Sequence, residues 1–293
     1  MNTPLVSIIT VNYKQAQVTC ELLNSIKNLS YPNLEVILVD NAQTGDDSLR
    51  YQQSLPMVKV LNVVENTGFA GGNNLGIKEA KGDYVFLLNN DTEIKNGTIE
   101  TLLDCFTSAQ IGAVSPVLRY YDAPNKIQFA GFTAINSITG RNELIHTKSE
   151  TETTISSPYF HGAAVMIHKF VINQCGLMPE KYFLYYEELD WSRMFREHGY
   201  EIRVCLAAEV VHKESISTGK NSPLSVYYKT RNRIHFMKSG QGSYLPFLSF
   251  FVLFSMPKNI LTYLFKSEYK HLKAFCKGLW DGIILNKIGF QKV

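Results

Sequence analysis

Cysteine is scarce and scattered in this chain. Cys20, Cys105, Cys175, Cys205 and Cys276 are odd in number, far apart and never in C-x-x-C spacing. That pattern excludes a disulfide framework and a zinc ribbon, so the thiols read as reduced core or surface groups. Two phosphate-cradling signatures are also missing. The glycine cluster from Gly68 to Gly76 lacks G-x-G-x-x-G and follows the third apolar run rather than the first, and Gly76 is followed by Ile77, not by the Lys of a P-loop. No basic n-region precedes the first apolar stretch, Leu5 to Val11, so no signal peptide is expected and the chain is expected in the cytoplasm. Internal repeats, low-complexity tracts and Pro/Gly/Ser-rich linkers are absent too. Charged residues make up only 19% of the 293 positions against 45% hydrophobic, and a mean hydropathy of −0.08 places the chain among globular proteins rather than disordered ones.

What is there is unevenly distributed. The net charge of +3 hides a segment from Lys213 onward with 13 Lys and Arg against 3 Asp and Glu, so an acidic front carries a basic tail. Short apolar runs at Val6 to Val11, Val36 to Val39, Val58 to Val64, Tyr84 to Leu88 and Gly112 to Leu118 alternate with helical spacing at Gln17 to Leu29 and Leu75 to Ala80. Continuous Val/Ile/Leu runs predict strands buried on both faces, hence an α/β fold with crossover helices. Such sheets bind ligands at the carboxyl ends of their strands. Less regular strands are expected at Ile127 to Ala134 and Tyr159 to Ile167, then a helix from Glu187 to His198.

An appendage is expected from about Asn221, giving a catalytic domain over 1–220, with halves at about 1–120 and 121–220, and a helical region over 221–293. Tyr244 to Phe265 is aromatic-rich and apolar but interrupted by Pro246, Pro257 and Lys258, where a spanning helix wants about 20 uninterrupted apolar residues. Lys266, Lys270, Lys273 and Lys277 follow at helical spacing beside Leu272, Phe275, Leu279 and Trp280. This suits a helix lying on an anionic membrane surface. A hairpin packed on the core or at a homodimer interface is the alternative. Lysines interleaved with long apolar runs, without a stacking module, favour membrane over nucleic acid.

Chemistry-bearing residues cluster at expected strand ends. Asp40 follows Val36 to Val39, and Asp91 follows Leu87-Leu88-Asn89-Asn90, so both carboxylates project at one sheet edge. A carboxylate there can accept hydrogen bonds from a nucleobase or sugar, whereas one beside a diphosphate needs a divalent cation between them. Either alone could be a helix cap or turn residue. Glu187, Glu188 and Asp190 open a helix beneath Tyr185, Tyr186 and Trp191; they complement the helix dipole, and crowding would favour one of them as a general base. His212, after Val210-Val211, could equally be a satisfied core histidine.

Taken together, Val6 to Tyr13, Val39-Asp40-Asn41, Asn66 to Asn74, Leu87 to Thr92, Glu187 to Trp191 and His212 resemble the family-2 glycosyltransferases of the GT-A fold, particularly the bacterial branch that includes rhamnosyltransferases of O-antigen and capsule assembly. The resemblance spans roughly residues 5 to 240. It implies a mixed, mainly parallel central sheet and leaves the membrane-associating helical appendage at the C-terminus outside. By it, Thr10, Asn12, Tyr13 and Asp40 would line the nucleoside site, and Asn66, Gly68 and Asn73 would help hold the nucleotide-sugar. Asn89-Asn90-Asp91 takes the place of the D-x-D motif, with Asn for its first Asp, so Asp91 and His212 would be the metal ligands, for Mn2+ or Mg2+. A nitrogen ligand leans toward Mn2+. Glu188 would inherit the catalytic base, with Asp190 and Glu187 as alternatives, and the reaction would invert configuration. His161, Gly162, Ala163 and Trp191 would border the acceptor; apart from the resemblance, Arg231 and Asn232 are expected to bind it too, with the charge of Arg231 and Arg233 attracting the phosphates of a lipid-linked acceptor.

The function so implied is transfer of a sugar, with L-rhamnose from dTDP-rhamnose the leading candidate and a UDP-hexose the alternative, to a polyprenyl-diphosphate-linked glycan at the inner face of the plasma membrane. A sugar nucleotidyltransferase would need a glycine-rich, arginine-bearing N-terminal loop that is missing. A non-catalytic membrane-bound scaffold is the remaining rival, motivated by Asn89.

Overall fold

The computed structural model describes residues 3–41, 47–213, 222–240 and 244–284. Met1-Asn2, the expected domain boundary at 220/221 and the last nine residues of the expected appendage lie outside the described residues.

The first part alternates strand and helix: β1 (Val6–Asn12), α1 (Ala16–Lys27), β2 (Leu34–Asp40), α2 (Ser48–Ser54), β3 (Lys59–Asn62), α3 (Gly68–Glu79) and β4 (Tyr84–Leu88). There follow β5 (Thr92–Glu93), α4 (Thr98–Asp104), β6 (Ile111–Tyr120), β7 (Ile127–Phe129), β8 (Thr154–Ser156), β9 (Ala164–His168), α5 (Lys169–Cys175), α6 (Glu187–Glu197) and β10 (Glu201–His212). The sheet order is β3-β2-β1-β4-β9-β6-β10-β5, with β7 on β6 and β8 on β10. Crossover helices make β3, β2, β1 and β4 mutually parallel. The expected mixed sheet is found, with β10 parallel to β6 in the other half as well. β9 runs antiparallel to both β4 and β6, and β5 antiparallel to β10, so the sheet is mixed.

Burial on both faces follows the apolar runs: Val6, Ile8 and Ile9 of β1 and Ile37, Leu38 and Val39 of β2 have no exposed surface. Each such side chain contributes about 1.5–3 kcal/mol of hydrophobic stabilisation. The glycines of α3 serve this packing. A Cβ at Gly72 would stand 2.7 Å from Val11 Cγ1, and one at Gly76 would collide with Ile9 Cγ2, so the helix rests directly on β1.

Two compact units emerge. The first holds the residues up to Thr133, Leu144–Glu180 and the described part of 188–217, and therefore the whole sheet. The second gathers Ala134–Glu143 and Lys181–Glu187 with the helices α7 (Pro223–Ser239), α8 (Tyr244–Phe250), α9 (Met256–Phe265) and α10 (Tyr269–Ile284). A π turn, Phe251–Ser255, joins α8 to α9. The prolines expected to interrupt Tyr244 to Phe265 do not break it, because Pro246 sits in the first turn of α8 and the carbonyl that Pro257 would clash with lies in the wider π turn. The resulting run of 22 residues is long and apolar enough to cross a membrane by length and composition, and only 17% of its most apolar window is buried.

Candidate functional site

The site grows from the carboxyl ends of β1, β2 and β4, all within the first unit. Period-two alternation places Thr10 and Asn12 on one face of β1. Asn12 Nδ2 donates to Asp40 Oδ1 and to the Tyr51 hydroxyl, both at 3.0 Å, while Asn12 Oδ1 accepts from Thr19 Oγ1 at 2.9 Å. Burial, then the nearby Asp40 charge, pushes the Tyr51 hydroxyl well above its ordinary pKa, so it stays a neutral donor. Asp40 Oδ2 and Thr10 Oγ1 are buried without a hydrogen-bond partner. Leaving such acceptors dry costs about 1–3 kcal/mol each, the signature of atoms awaiting a ligand. Tyr13, at the strand's exit, is 38% exposed.

Asn41 ties the next segment down. Its Nδ2 donates to Asn66 Oδ1 and the Gly68 carbonyl, and its Oδ1 accepts from the Thr67 amide and hydroxyl. Gly68, at φ +75°, makes the left-handed turn into α3. Asn73 is buried and donates to the Phe69 carbonyl within its own helix.

Asn89-Asn90-Asp91 leaves β4. The Asn89 amide donates to the Ala163 carbonyl at 2.9 Å, and Asn90 Nδ2 turns inward to Asn12 Oδ1 and Thr19 Oγ1. Asn90 therefore braces the end of β1 against α1. Asp91 Oδ1 lies 3.2 Å from His212 Nε2, yet neither atom has a hydrogen-bond partner, and both residues are buried. The other imidazole nitrogen sets the tautomer of the neutral ring: His212 Nδ1 is 2.8 Å from Gln128 Oε1, an acceptor, so the neutral imidazole holds its proton on Nδ1 and presents the Nε2 lone pair toward Asp91. Two lone pairs facing each other across a buried gap fit a divalent cation. No group of three or more His, Cys, Asp or Glu able to hold a metal occurs among the described residues. Asp91 and His212 would thus hold it as a pair and leave positions for phosphate oxygens, as suits Mg2+ or Mn2+.

His161, Gly162 and Ala163 lie directly before β9, whose Ala164 pairs with Leu88 at the same edge. His161 Nδ1 accepts from the Ala163 amide at 3.1 Å, and its ring stands 6.1 Å from that of His212. Desolvation pushes the His161 pKa down to about 3, and with Nδ1 accepting from the Ala163 amide the neutral ring presents Nε2–H as a donor. A Cβ at Gly162 would touch Glu188 Cβ at 3.7 Å and the Phe69 ring at 3.6 Å. Glu188 is thereby brought beside the His161–Ala163 turn.

The three carboxylates of α6 differ in setting. Asp190 is 1% exposed and paired with Arg193, Glu187 is 2% exposed, and Glu188 alone is partly exposed. Trp191 corrects the sequence expectation. It has no exposed surface, packs against Phe160 and Phe195, and donates Nε1–H to the Gly176 carbonyl, so it is core and out of an acceptor's reach. Arg231 and Asn232 are corrected likewise: both are buried in the second unit, with polar groups turned to the backbone carbonyls of Tyr182, Leu184 and Tyr185 rather than outward to a phosphate. Sequence reasoning missed Gln128, Tyr51 and Asn41 as supporting residues. Only Asn41, adjoining the Val39-Asp40 strand end, carried a signal.

Residues 7–176 match Glycosyl transferase family 2. A Haloferax volcanii protein, the low-salt glycan biosynthesis hexosyltransferase Agl10, is 29% identical over 234 residues, covering 78% of this chain and 73% of that one. The Mycobacterium tuberculosis N-acetylglucosaminyl-diphospho-decaprenol L-rhamnosyltransferase is 23% identical over 254 residues, 78% and 83% of the two chains. Among solved structures, the Pyrobaculum calidifontis mannosyltransferase PcManGT, in complex with GDP-Man and Mn2+, superposes with a TM-score of 0.62 at 15% identity, over 98% of this chain and 89% of that one. With more than half of its length matched, the chain belongs to glycosyl transferase family 2 and has the GT-A fold.

Proposed function

We propose that this glycosyltransferase is divalent-cation-dependent and inverting, and that it moves L-rhamnose from dTDP-rhamnose to a polyprenyl-diphosphate-linked glycan at the cytoplasmic face of the plasma membrane. The observation that carries the reading is the facing pair of unpartnered atoms, Asp91 Oδ1 and His212 Nε2, on the same strand-end edge as Asp40 Oδ2 and Thr10 Oγ1. Asp40 and Thr10 offer acceptors to the N–H and hydroxyl groups of a nucleoside, and the Asn41-clamped loop holds the sugar-nucleotide over α3. A bound cation supplies the charge that stabilises the departing diphosphate. Glu188, the partly exposed carboxylate beside Gly162, takes the proton of the acceptor hydroxyl as the hydroxyl oxygen bonds to the anomeric carbon and the glycosyl–phosphate bond breaks. Attack opposite the leaving group inverts the anomeric centre. His161 donates its Nε2–H to the acceptor and stays neutral through physiological pH.

The name of the mycobacterial relative supports the rhamnosyl donor and the polyprenyl acceptor. The apolar surface of the second unit supports the membrane: Leu245, Leu253, Phe254, Phe265 and Trp280 are each more than 60% exposed, and Lys258, Lys266, Lys270 and Lys273 are exposed among them. Apolar side chains ringed by lysines complement the acyl and phosphate layers of an anionic bilayer.

A transfer assay over dTDP-rhamnose, UDP-hexoses and UDP-N-acetylhexosamines with a polyprenyl-diphosphate glycan tests the reading. Turnover from dTDP-rhamnose that Glu188→Gln abolishes is the expected result. Transfer only from a UDP-sugar would overturn the donor assignment, and turnover surviving Glu188→Gln would overturn the base.

A further inference from the structure

The segment leading into α6 has an unusual backbone. Phe183, Tyr185 and Tyr186 all occupy the left-handed region, at φ 67°, 68° and 77°. Bulky aromatic residues rarely adopt it, and such strain persists only where neighbours over-determine it. Here the neighbour is one face of α7, since Tyr228, Asn232 and Phe236 recur every four residues. Phe183 stacks on Tyr228 at 5.3 Å, Tyr186 packs on Phe236 at 5.7 Å, and Lys229 Nζ lies over the Tyr185 ring at 4.8 Å.

Asn232 sits at the centre with no exposed surface. Its Nδ2 donates to the carbonyls of Tyr182, Leu184 and Tyr185 at 3.1, 2.7 and 2.9 Å, while its Oδ1 accepts from Arg231 Nε at 2.9 Å. Arg231 Nη2 adds a second bond to the Tyr182 carbonyl at 2.7 Å. One amide thus gathers three carbonyls from four consecutive residues. α7 is itself fixed from the other side. Gly278 and Gly282 of α10 let the helices meet backbone to backbone, where a Cβ at Gly278 would stand 2.6 Å from the Tyr227 carbonyl, and Tyr227 donates to Asp281 Oδ2 at 2.6 Å.

We propose that Asn232 is a positioning residue for the general base. By clasping residues 182–185 it fixes the strained backbone from which Glu187 opens α6, and Glu188 follows at the next peptide bond. The proposal rests on the assignment of Glu188 as base.

Asn232→Asp tests it in the full chain, because the carboxylate keeps the partner of Arg231 Nε and replaces the donors to the three carbonyls by an acceptor oxygen that repels them. A misplacement of the base by about 1 Å predicts a loss in kcat of roughly 100-fold, with donor KM and nucleotide affinity within about twofold of wild type. Hydrogen exchange at the amides of 183–188 should accelerate. Tyr185→Gly, added to Asn232→Asp, should recover about threefold or more of the lost kcat, because glycine reaches the left-handed region without a Cβ penalty. Should Asn232→Asp not fold, Asn232→Ser, which keeps one donor, is assayed in its place for the same kcat loss. Wild-type kcat in the variant, a parallel loss of nucleotide affinity, or no recovery with glycine would each overturn the clasp. Glu188→Gln assayed beside it separates the two failures: turnover surviving Glu188→Gln removes the base assignment, while an inactive Glu188→Gln with a fully active Asn232→Asp removes the clasp alone.

Discussion

Gln128 makes the cation half-site testable without touching either ligand. It is 3% exposed, and its Oε1 accepts the His212 Nδ1–H at 2.8 Å, which turns the Nε2 lone pair toward Asp91. Gln128→Leu keeps the volume and deletes the acceptor. The stranded Nδ1–H costs about 1–3 kcal/mol of stability. More specifically, the imidazole loses its preference for the useful tautomer, and loss of such an outer partner weakens metal binding by about 10–100-fold. That is about 1.4–2.7 kcal/mol of binding free energy. Calorimetric titration of Mn2+ into protein saturated with nucleoside diphosphate measures the affinity, and thermal unfolding measures the stability. Gln128→Glu, which retains an acceptor for Nδ1–H, should restore Mn2+ binding to the wild-type value or tighter. Wild-type Mn2+ affinity in Gln128→Leu would refute the reasoning, because His212 orientation would then not depend on this contact.

Trp191→Phe should destabilise the fold by about 1–3 kcal/mol through a cavity and a stranded Gly176 carbonyl, with acceptor KM unchanged; a raised KM at full stability would return Trp191 to the acceptor site. Gly278→Ala should lower the melting temperature despite the better helix propensity of alanine, because the new Cβ meets the Tyr227 carbonyl, and a raised melting temperature would show that α7 and α10 are not in backbone contact. His161 and His235, with pKa values pushed down to about 3 and about 4, are neutral when folded, and both titrate near 6.5 when unfolded. The unfolded chain therefore binds more protons below pH 6.5, and stability should fall as pH drops from 6.5 toward 4, by at most about 1.4 kcal/mol per pH unit for each histidine. His161→Asn should flatten that slope in denaturant titrations, and an unchanged slope would contradict a neutral buried His161. Phe265→Glu should reduce sedimentation with anionic vesicles, since Phe265 is 85% exposed among lysines; undiminished binding would move the lipid contact elsewhere.

The strand ends that carry the proposed nucleoside and cation residues were legible because their signals are local. Apolar runs ending in Asp40 and Asp91 announce strand termini at one sheet edge, and His212 closes the last such run. The antiparallel insertion of β9 was not legible, since a short apolar run has no direction. Trp191, Arg231 and Asn232 look like exposed binding residues in sequence because Trp and Arg often are; their burial is decided by Phe160, Gly176 and the carbonyls of 182–185, which come from distant parts of the chain. Gln128 and Tyr51 sit in no motif. Each acts through a tertiary hydrogen bond to a residue that does.

The central claim, that Asp91 and His212 hold a cation beneath a nucleotide-sugar diphosphate, is tested most directly by calorimetric titration of dTDP and of UDP into the protein with Mn2+, with Mg2+ and with chelator. Binding that requires the cation and disappears in Asp91→Ala is the predicted result. Nucleotide binding unaffected by chelator, or retained in a folded Asp91→Ala, would contradict it.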